Sequence, residues 1–303
     1  MPANRWYDFG NGSYVLTGGS NIGFIIHEGR ALMVDAGLDP DSARKALRHL
    51  EALGASLSAI ALTHGHADHF GGAGWAAERA DAPVFAPPLE GTLAEHPMLE
   101  PLFLYGGADP IEELRGKFTW ARQGAGPCRP LSPGEALLND IPIEVVPLPG
   151  HAPAQVGIAF GGEGGTLFCG DVVFPKDTLQ RHPILFCADL DAWLATLAHL
   201  PKLAVAHFVA GHGEPWEDIR PAAAATVARL QEIREVTRQA LAEPQEPYGV
   251  LRHVAAHFNV TFAAPQFFLL SLTTVQAALT SLQRAGEAEI VMDDNRMLWR
   301  ARH

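Results

Sequence analysis

The chain has 303 residues, 48% of them hydrophobic and 18% charged, with a formal net charge of −12; that length suits one large domain, or one with a small appendage, and suffices to bury a real core. No stretch approaches about 18 uninterrupted apolar residues, which excludes a membrane span, and Cys128, Cys169 and Cys187 are odd in number and lack CxxC spacing, which argues for buried, reduced thiols rather than a disulfide framework. The acidic excess lies in residues 1–220, with 14 basic against 26 acidic side chains, while residues 221–303 balance eight Arg against eight Asp and Glu; an acidic body repels a phosphate backbone and weighs against nucleic acid as the dedicated partner without excluding it.

The start, Met1 to Phe9, carries one basic residue and no apolar run of leader length, so a cytoplasmic location is expected. Strands separated by Gly-rich turns follow, at Gly12–Leu16, Ile22–Ile26 and Ala31–Asp35. Asp35 closes the third of them and reads equally as a turn residue capping what comes next. Asp39-Pro40-Asp41 then starts a helix through Leu47, Leu50 and Leu53 that Gly54 stops.

A buried strand, Ile60-Ala61-Leu62, runs into Thr63-His64-Gly65-His66-Ala67-Asp68-His69-Phe70-Gly71-Gly72. Four metal-competent side chains stand close together there. If the chain turns at Gly65, His64 and His66 can face one cation while Asp68 and His69 face a second. A helix from Gly71 and a strand at Pro83–Phe85 continue an alternation of strands and helices, the pattern of a layered α/β body.

Residues 86–130 change character, with Pro87, Pro88, Pro97, Pro101 and Pro110 set among large apolar groups. Short helices over the mouth of the site are expected, either walling a small-molecule pocket or simply packing onto the body. Tyr105 is the candidate substrate-facing hydroxyl in this insert. Strand alternation resumes at Ile141–Val146, ending in Pro149-Gly150-His151, and a hairpin of Gln155–Phe160 with Thr166–Cys169 delivers Asp171. His182, in Arg181-His182-Pro183, is a candidate substrate contact. A helix from Asp189 to Leu200 precedes a strand at Ala204–Ala210 that ends at His212, so each candidate ligand lies just past the carboxyl end of a strand.

At His64-x-His66-x-Asp68-His69, together with His151, Asp171 and His212, the sequence resembles the metallo-β-lactamase superfamily of metallo-hydrolases over roughly residues 10–220. The resemblance implies a four-layer αββα sandwich. It assigns His64, His66 and His151 to a first metal, Asp68, His69 and His212 to a second, and Asp171 to a bridge between them, with Asp35 behind the ligands orienting them. Two divalent cations are then the expected cofactors, zinc first, with iron or manganese compatible with the same donors. Such a pair lowers the pKa of a water between them to about 7, giving a bridging hydroxide as nucleophile that Asp68 can also steer. Asp171, standing where some zinc β-lactamases of the superfamily carry cysteine, points away from antibiotic hydrolysis.

The expected activity is thus hydrolysis of a small ester, lactone or thioester by a dinuclear metal enzyme. A phosphodiesterase or ribonuclease, and a mononuclear iron sulfur dioxygenase, are the alternatives. Residues 221–303 read as a separate C-terminal unit: a helix from Pro221 to Ala242, helices at Val250–Phe258, from Phe267, and at Val275–Gly286, then a hairpin of Glu289–Met292 with Met297–Arg300. That order resembles a winged-helix tail. A DNA-reading third helix is basic, whereas this one offers only Arg284, so packing or a homodimer contact is the expected role of the tail.

Overall fold

A computed structural model describes residues 5–302; Met1 to Asn4, part of the stretch read for a leader, lie outside the described residues. Seven strands form one sheet in chain order: β1 (Trp6–Asp8), β2 (Ser13–Leu16), β3 (Ile22–His27), β4 (Arg30–Val34), β5 (Ser56–Ala61), β6 (Val84–Ala86) and β7 (Cys128–Pro130). Neighbours are antiparallel as far as β4 and parallel from β4 to β7. A second sheet has the order β12-β11-β10-β9-β8, built from β8 (Gly134–Leu138), β9 (Ile141–Pro147), β10 (Val156–Phe160), β11 (Thr166–Gly170) and β12 (His207–Ala210). Only β11 and β12 pair in parallel within it.

The side-chain alternation of β4 shows why the layers stack as they do. Ala31 and Met33 point into one core and Leu32 and Val34 into another, so the strand is buried on both faces. The first core lies under helices α1 (Pro40–Ala52) and α3 (Ala73–Ala80), which follow and flank the short α2 (Ala67–Phe70). Helix α1 is set by Asp39, whose carboxylate accepts the Ser42 amide at 3.0 Å, by Pro40 in its first turn, and by the buried stripe Ala43, Ala46, Leu47 and Leu50. The second core joins the two sheets, with Leu32, Val34 and Ala61 facing Ile143, Val145, Ile158 and Phe168. The third lies under α7 (Leu190–His199), where Leu167 and Phe208 meet Trp193 and Leu197. The result is the αββα order.

Between β6 and β7 the insert contains α4 (Pro88–Glu95) and α5 (Leu99–Leu104); α6 (Lys176–Arg181) follows β11. After β12 come α8 (Arg220–Gln239), α9 (Pro247–His257), α10 (Pro265–Arg284), and a hairpin of β13 (Ala288–Asp293) and β14 (Arg296–Ala301). The two helices expected from Phe267 and from Val275 are one, α10, because no Gly or Pro interrupts the stretch and Leu272, Val275, Leu279 and Leu282 continue a single buried face. The hairpin turn at Asp294 and Asn295 has both residues at positive φ, 47° and 62°, as a two-residue type I′ connection requires. Residue 220 does not interrupt the packing: Leu230, Ile233, Ala277 and Ala278 share the core beneath α7.

Trp193 is fully buried and donates its indole N–H to the Val172 carbonyl at 2.9 Å, and its ring lies 5.4 Å from that of His151. Trp193→Ala should therefore lower the unfolding free energy by about 3–5 kcal/mol, the cost of an unfilled aromatic site. Urea denaturation checks this, and a loss below about 1 kcal/mol would mean that α7 is not anchored there.

Candidate metal centre

The candidate ligands meet at one edge of the sandwich. Asp35 follows β4, residues 64–69 follow β5, His151 follows β9, Asp171 follows β11 directly and His212 follows β12. Since β4 runs parallel to β5, and β9, β11 and β12 run parallel to one another, these strands end on a common side. Close approach there depends on glycine. A Cβ on Gly211 would run into Asp171 Oδ1 and the His69 ring, so a side chain at that position would occupy the centre itself.

Two triads result. His64, His66 and His151 form one, and Asp68, His69 and His212 the other, each with its three ligand atoms within 4.8 Å of one another. His66 Nδ1 and His151 Nε2 are 3.0 Å apart. Between the triads lies the Asp171 carboxylate, with Oδ1 3.4 Å from His69 Nε2 and Oδ2 3.2 Å from His212 Nε2 and 3.6 Å from His151 Nε2. Asp68 Oδ2 is 3.5 Å from His212 Nε2 and 3.8 Å from His69 Nε2. His64 Nε2, His69 Nε2 and Asp171 Oδ1 are buried with no hydrogen-bond partner among the described residues. Three buried polar atoms without partners in one cluster are costly unless something coordinates them. A divalent cation in each triad would satisfy them, so the residues fit the group.

The ring nitrogens on the far side define which atom each imidazole turns inward. Thr63 donates its hydroxyl to Asp35 Oδ2 at 2.8 Å, so Thr63 Oγ1 must accept the Nδ1–H of His64 at 3.0 Å. His69 Nδ1–H donates to Asp35 Oδ2 at 2.9 Å, His151 Nδ1–H to the Phe186 carbonyl at 3.1 Å, and His212 Nδ1–H to the Gly19 carbonyl at 2.6 Å. All four rings thereby present Nε2 to the centre, while His66 presents Nδ1. Asp35 also accepts the Thr63 amide at 2.8 Å from a backbone held at φ of 55°.

The charges divide along the same line. Burial first, then the neighbouring imidazoles, push His64 well below the usual range and His66 down to about 3, and burial also lowers His151. In the other triad burial opposes charge, but the Asp171 and Asp68 carboxylates outweigh it, raising His69 well above its ordinary value and His212 to about 9. Burial likewise acts to raise Asp171, but His212 and His69 hold it well below the carboxylate range. One triad is therefore poised with free lone pairs, and the other holds protons that a cation would displace.

Asp35 lies behind the cluster, against Thr63 and His69. His182 lines the cavity in front of it and is lowered by burial, then by Arg181 and His212. Tyr105 departs from expectation: it caps α5, is 39% exposed, and is not among the described residues lining the cavity. Nor is any other residue of 86–130. That insert sits behind the ligand loop instead. Glu90, fully buried, accepts the Gly65 amide at 3.0 Å and the Ala154 amide at 2.8 Å, and Glu100 accepts the Ala67 amide at 3.3 Å. Sequence reasoning missed both acids because its attention there went to the apolar residues. It also missed the turn before β3, where Ser20 Oγ donates to Asp68 Oδ2 at 2.8 Å and the Asn21 side-chain amide donates to the Ala210 and Gly213 carbonyls at 2.9 and 2.8 Å. The Gly18-Gly19-Ser20-Asn21 run was its only signal. Cys169 is a buried thiol on β11, raised by burial.

An αββα sandwich with imidazole and carboxylate groups gathered at one edge places the protein among the metallo-β-lactamase-like folds. The family model described as the metallo-beta-lactamase superfamily matches residues 15–212, and the chain belongs to that superfamily. It is 28% identical over 192 residues to a hydroxyacylglutathione hydrolase of Albidiferax ferrireducens, an overlap of 62% of either chain, so it spans under two thirds of that relative. A crystal structure of a metallo-beta-lactamase family protein from Thermus thermophilus is similar at 23% identity with a TM-score of 0.73, covering 96% of this chain and 99% of that one. A beta-lactamase domain protein from Burkholderia ambifaria is similar at 18% identity with a TM-score of 0.74, covering 100% and 95%. Both establish the fold, including its C-terminal helices.

Asp35→Ala removes the acceptor of three hydrogen bonds and should weaken metal retention about 10- to 100-fold, the usual cost of losing the group that orients a ligand. Elemental analysis after dialysis against graded chelator checks this. Retention equal to that of the unaltered protein would dismiss Asp35 as an orienting group.

Proposed function

We propose that the chain is a metal-dependent hydrolase of small thioesters or related esters, with residues 1–220 as its catalytic body. The observation that carries this reading is the inward convergence of five imidazole nitrogens and two carboxylates around orphaned buried atoms. His64 Nε2, His66 Nδ1 and His151 Nε2 would hold one divalent cation, Asp68, His69 Nε2 and His212 Nε2 a second, and Asp171 would face both. Zinc suits this set best, with iron and manganese compatible. Bound there, the cations would supply Lewis acidity, activating water and polarising the scissile carbonyl.

The chain's own residues do the rest. Asp68, oriented by Ser20 and exposed to the cavity, can take a proton from the attacking water. Asp35, through Thr63 and His69, keeps the rings from turning. The name borne by the Albidiferax relative supports a thioester over a lactone. The tail supports a small molecule over nucleic acid, because most of its arginines are paired with carboxylates. Arg284 pairs with Asp189 and Asp191 at 3.0 and 3.2 Å, Arg296 with Asp293 at 2.7 Å and Arg300 with Glu289 at 2.7 Å.

Protein purified without chelator should carry divalent metal and hydrolyse members of a panel of thioesters, lactones and bis-p-nitrophenyl phosphate, thioesters fastest. His66→Ala should abolish that turnover. Undiminished rates in the variant would remove the metal mechanism, and a preference for the phosphodiester would replace the thioester reading.

A further inference from the structure

The metal centre opens into a cavity of about 1320 Å³, larger than the roughly 300–1,000 Å³ that encloses a drug-sized ligand. Its two ends differ in chemistry. At one end are Asp68, His151, Asp171 and His212. Aromatic rings begin immediately beyond them: Phe174 stacks on His212 with centroids 6.0 Å apart, and Phe186 meets His66 at 4.9 Å. Ile184 and Leu185 also line the cavity, as do Phe262, Phe267 and Leu270, at and before the start of α10. Within segments 183–186 and 260–271 no Asp, Glu, Lys or Arg is among the described lining residues. Phe267 is 48% exposed, an apolar ring left uncovered where it faces the cavity.

Among the charged lining groups carboxylates outnumber cations. Asp68, Asp171, Asp177 and Glu214 stand against Lys176 and Arg181, and Arg181 is paired with Asp177 at 2.9 Å. A polyanionic substrate arm would find Lys176 as the one lining cation without an ion pair among the described residues, set against four carboxylates. A flexible hydrocarbon would find apolar side chains in the same cavity, with Phe174 and Phe186 directly beside the candidate ligands.

Building on the hydrolase reading above, we infer that the substrate carries an apolar chain on one side of its scissile bond, and that this chain lies along Ile184, Leu185, Phe262, Phe267 and Leu270. The C-terminal helices are thus part of the substrate site. Transfer of each methylene from water into such a wall is worth about a three- to four-fold gain in kcat/KM, until the chain outgrows the cavity.

The chain can belong to the acyl group or to the thiol, so two series test it on the metal-loaded full chain: S-acyl thioesters of ethanethiol from acetyl to decanoyl, and acetyl thioesters of ethanethiol to decanethiol. One series should climb steeply with length through the KM and the other stay flatter, which identifies the side. Phe267→Asp, at a half-exposed position, should flatten the climbing series while leaving the thermal melting point close to that of the unaltered protein. Calorimetric titration with octanoate and butyrate gives a reading free of turnover, with octanoate expected to bind at least about tenfold more tightly. Flat series on both sides with equal binding of the two acids would overturn the inference and leave the hydrolase reading standing. Tighter octanoate binding without turnover of any thioester would overturn the hydrolase reading and leave the apolar site standing.

Discussion

The Asp35 carboxylate is the constraint on which the rest of the centre depends. Its backbone sits in the left-handed region just past β4, and its two oxygens collect the Thr63 amide, the Thr63 hydroxyl and the His69 ring N–H. One acceptor therefore ties the end of β4 to the loop after β5 and, by occupying the Thr63 proton, dictates which nitrogen of His64 faces inward. A side chain with a single acceptor could not do all three. Each donor is buried, so loss of the acceptor would leave several polar groups unsatisfied at about 1–3 kcal/mol apiece. The candidate ligands are held from behind by these hydrogen bonds.

Bracing from outside the sheets completes the loop. Glu90 and Glu100 take the Gly65 and Ala67 amides, groups that a tight loop between a strand and a short helix leaves without partners. Burial pushes both carboxyls up, and for Glu100 the neighbouring Asp68 charge adds to the effect. On the opposite side the turn before β3 takes His212 through the Gly19 carbonyl and Asp68 through Ser20. The triad so clamped is the one in which the Asp171 and Asp68 carboxylates raise His69 and His212.

The sequence was most legible where chemistry is concentrated in few residues and follows strands. The alternation that identified β3, β4, β10 and β11 also located Asp35 and Asp171, because a strand end is a local feature. The seven candidate ligands lie together in space. Contacts between distant segments were not legible. Glu90 reaches Ala154 across 64 positions and Asn21 reaches Gly213 across 192, and nothing local to either residue announces its partner. The Pro-rich insert misled for a related reason: its apolar residues said that it packs on something, but not on which side of the ligand loop. Residues 265–284, read as two helices, form one in which Ser271 and Thr274 are buried.

The family match ends at His212, the last candidate ligand, whereas the far wall of the cavity is built from residues 260–271. Reaction chemistry and substrate fit are thus encoded in different lengths of chain. Residues before 213 provide donors that would serve any carbonyl or phosphoryl centre, and what can reach them is decided by walls that the metal site does not dictate. An acidic lining alone would repel carboxylate and phosphate substrates, and two divalent cations would reverse that only within the few ångströms around them. Beyond that distance the chemistry of the wall governs. Here the wall is aromatic and aliphatic, contributed in part by α10, whose one arginine, Arg284, is paired with Asp189 and Asp191. The physical case for a substrate that is polar at the scissile bond and apolar away from it therefore comes from the tail, the part of the chain farthest in sequence from the ligands.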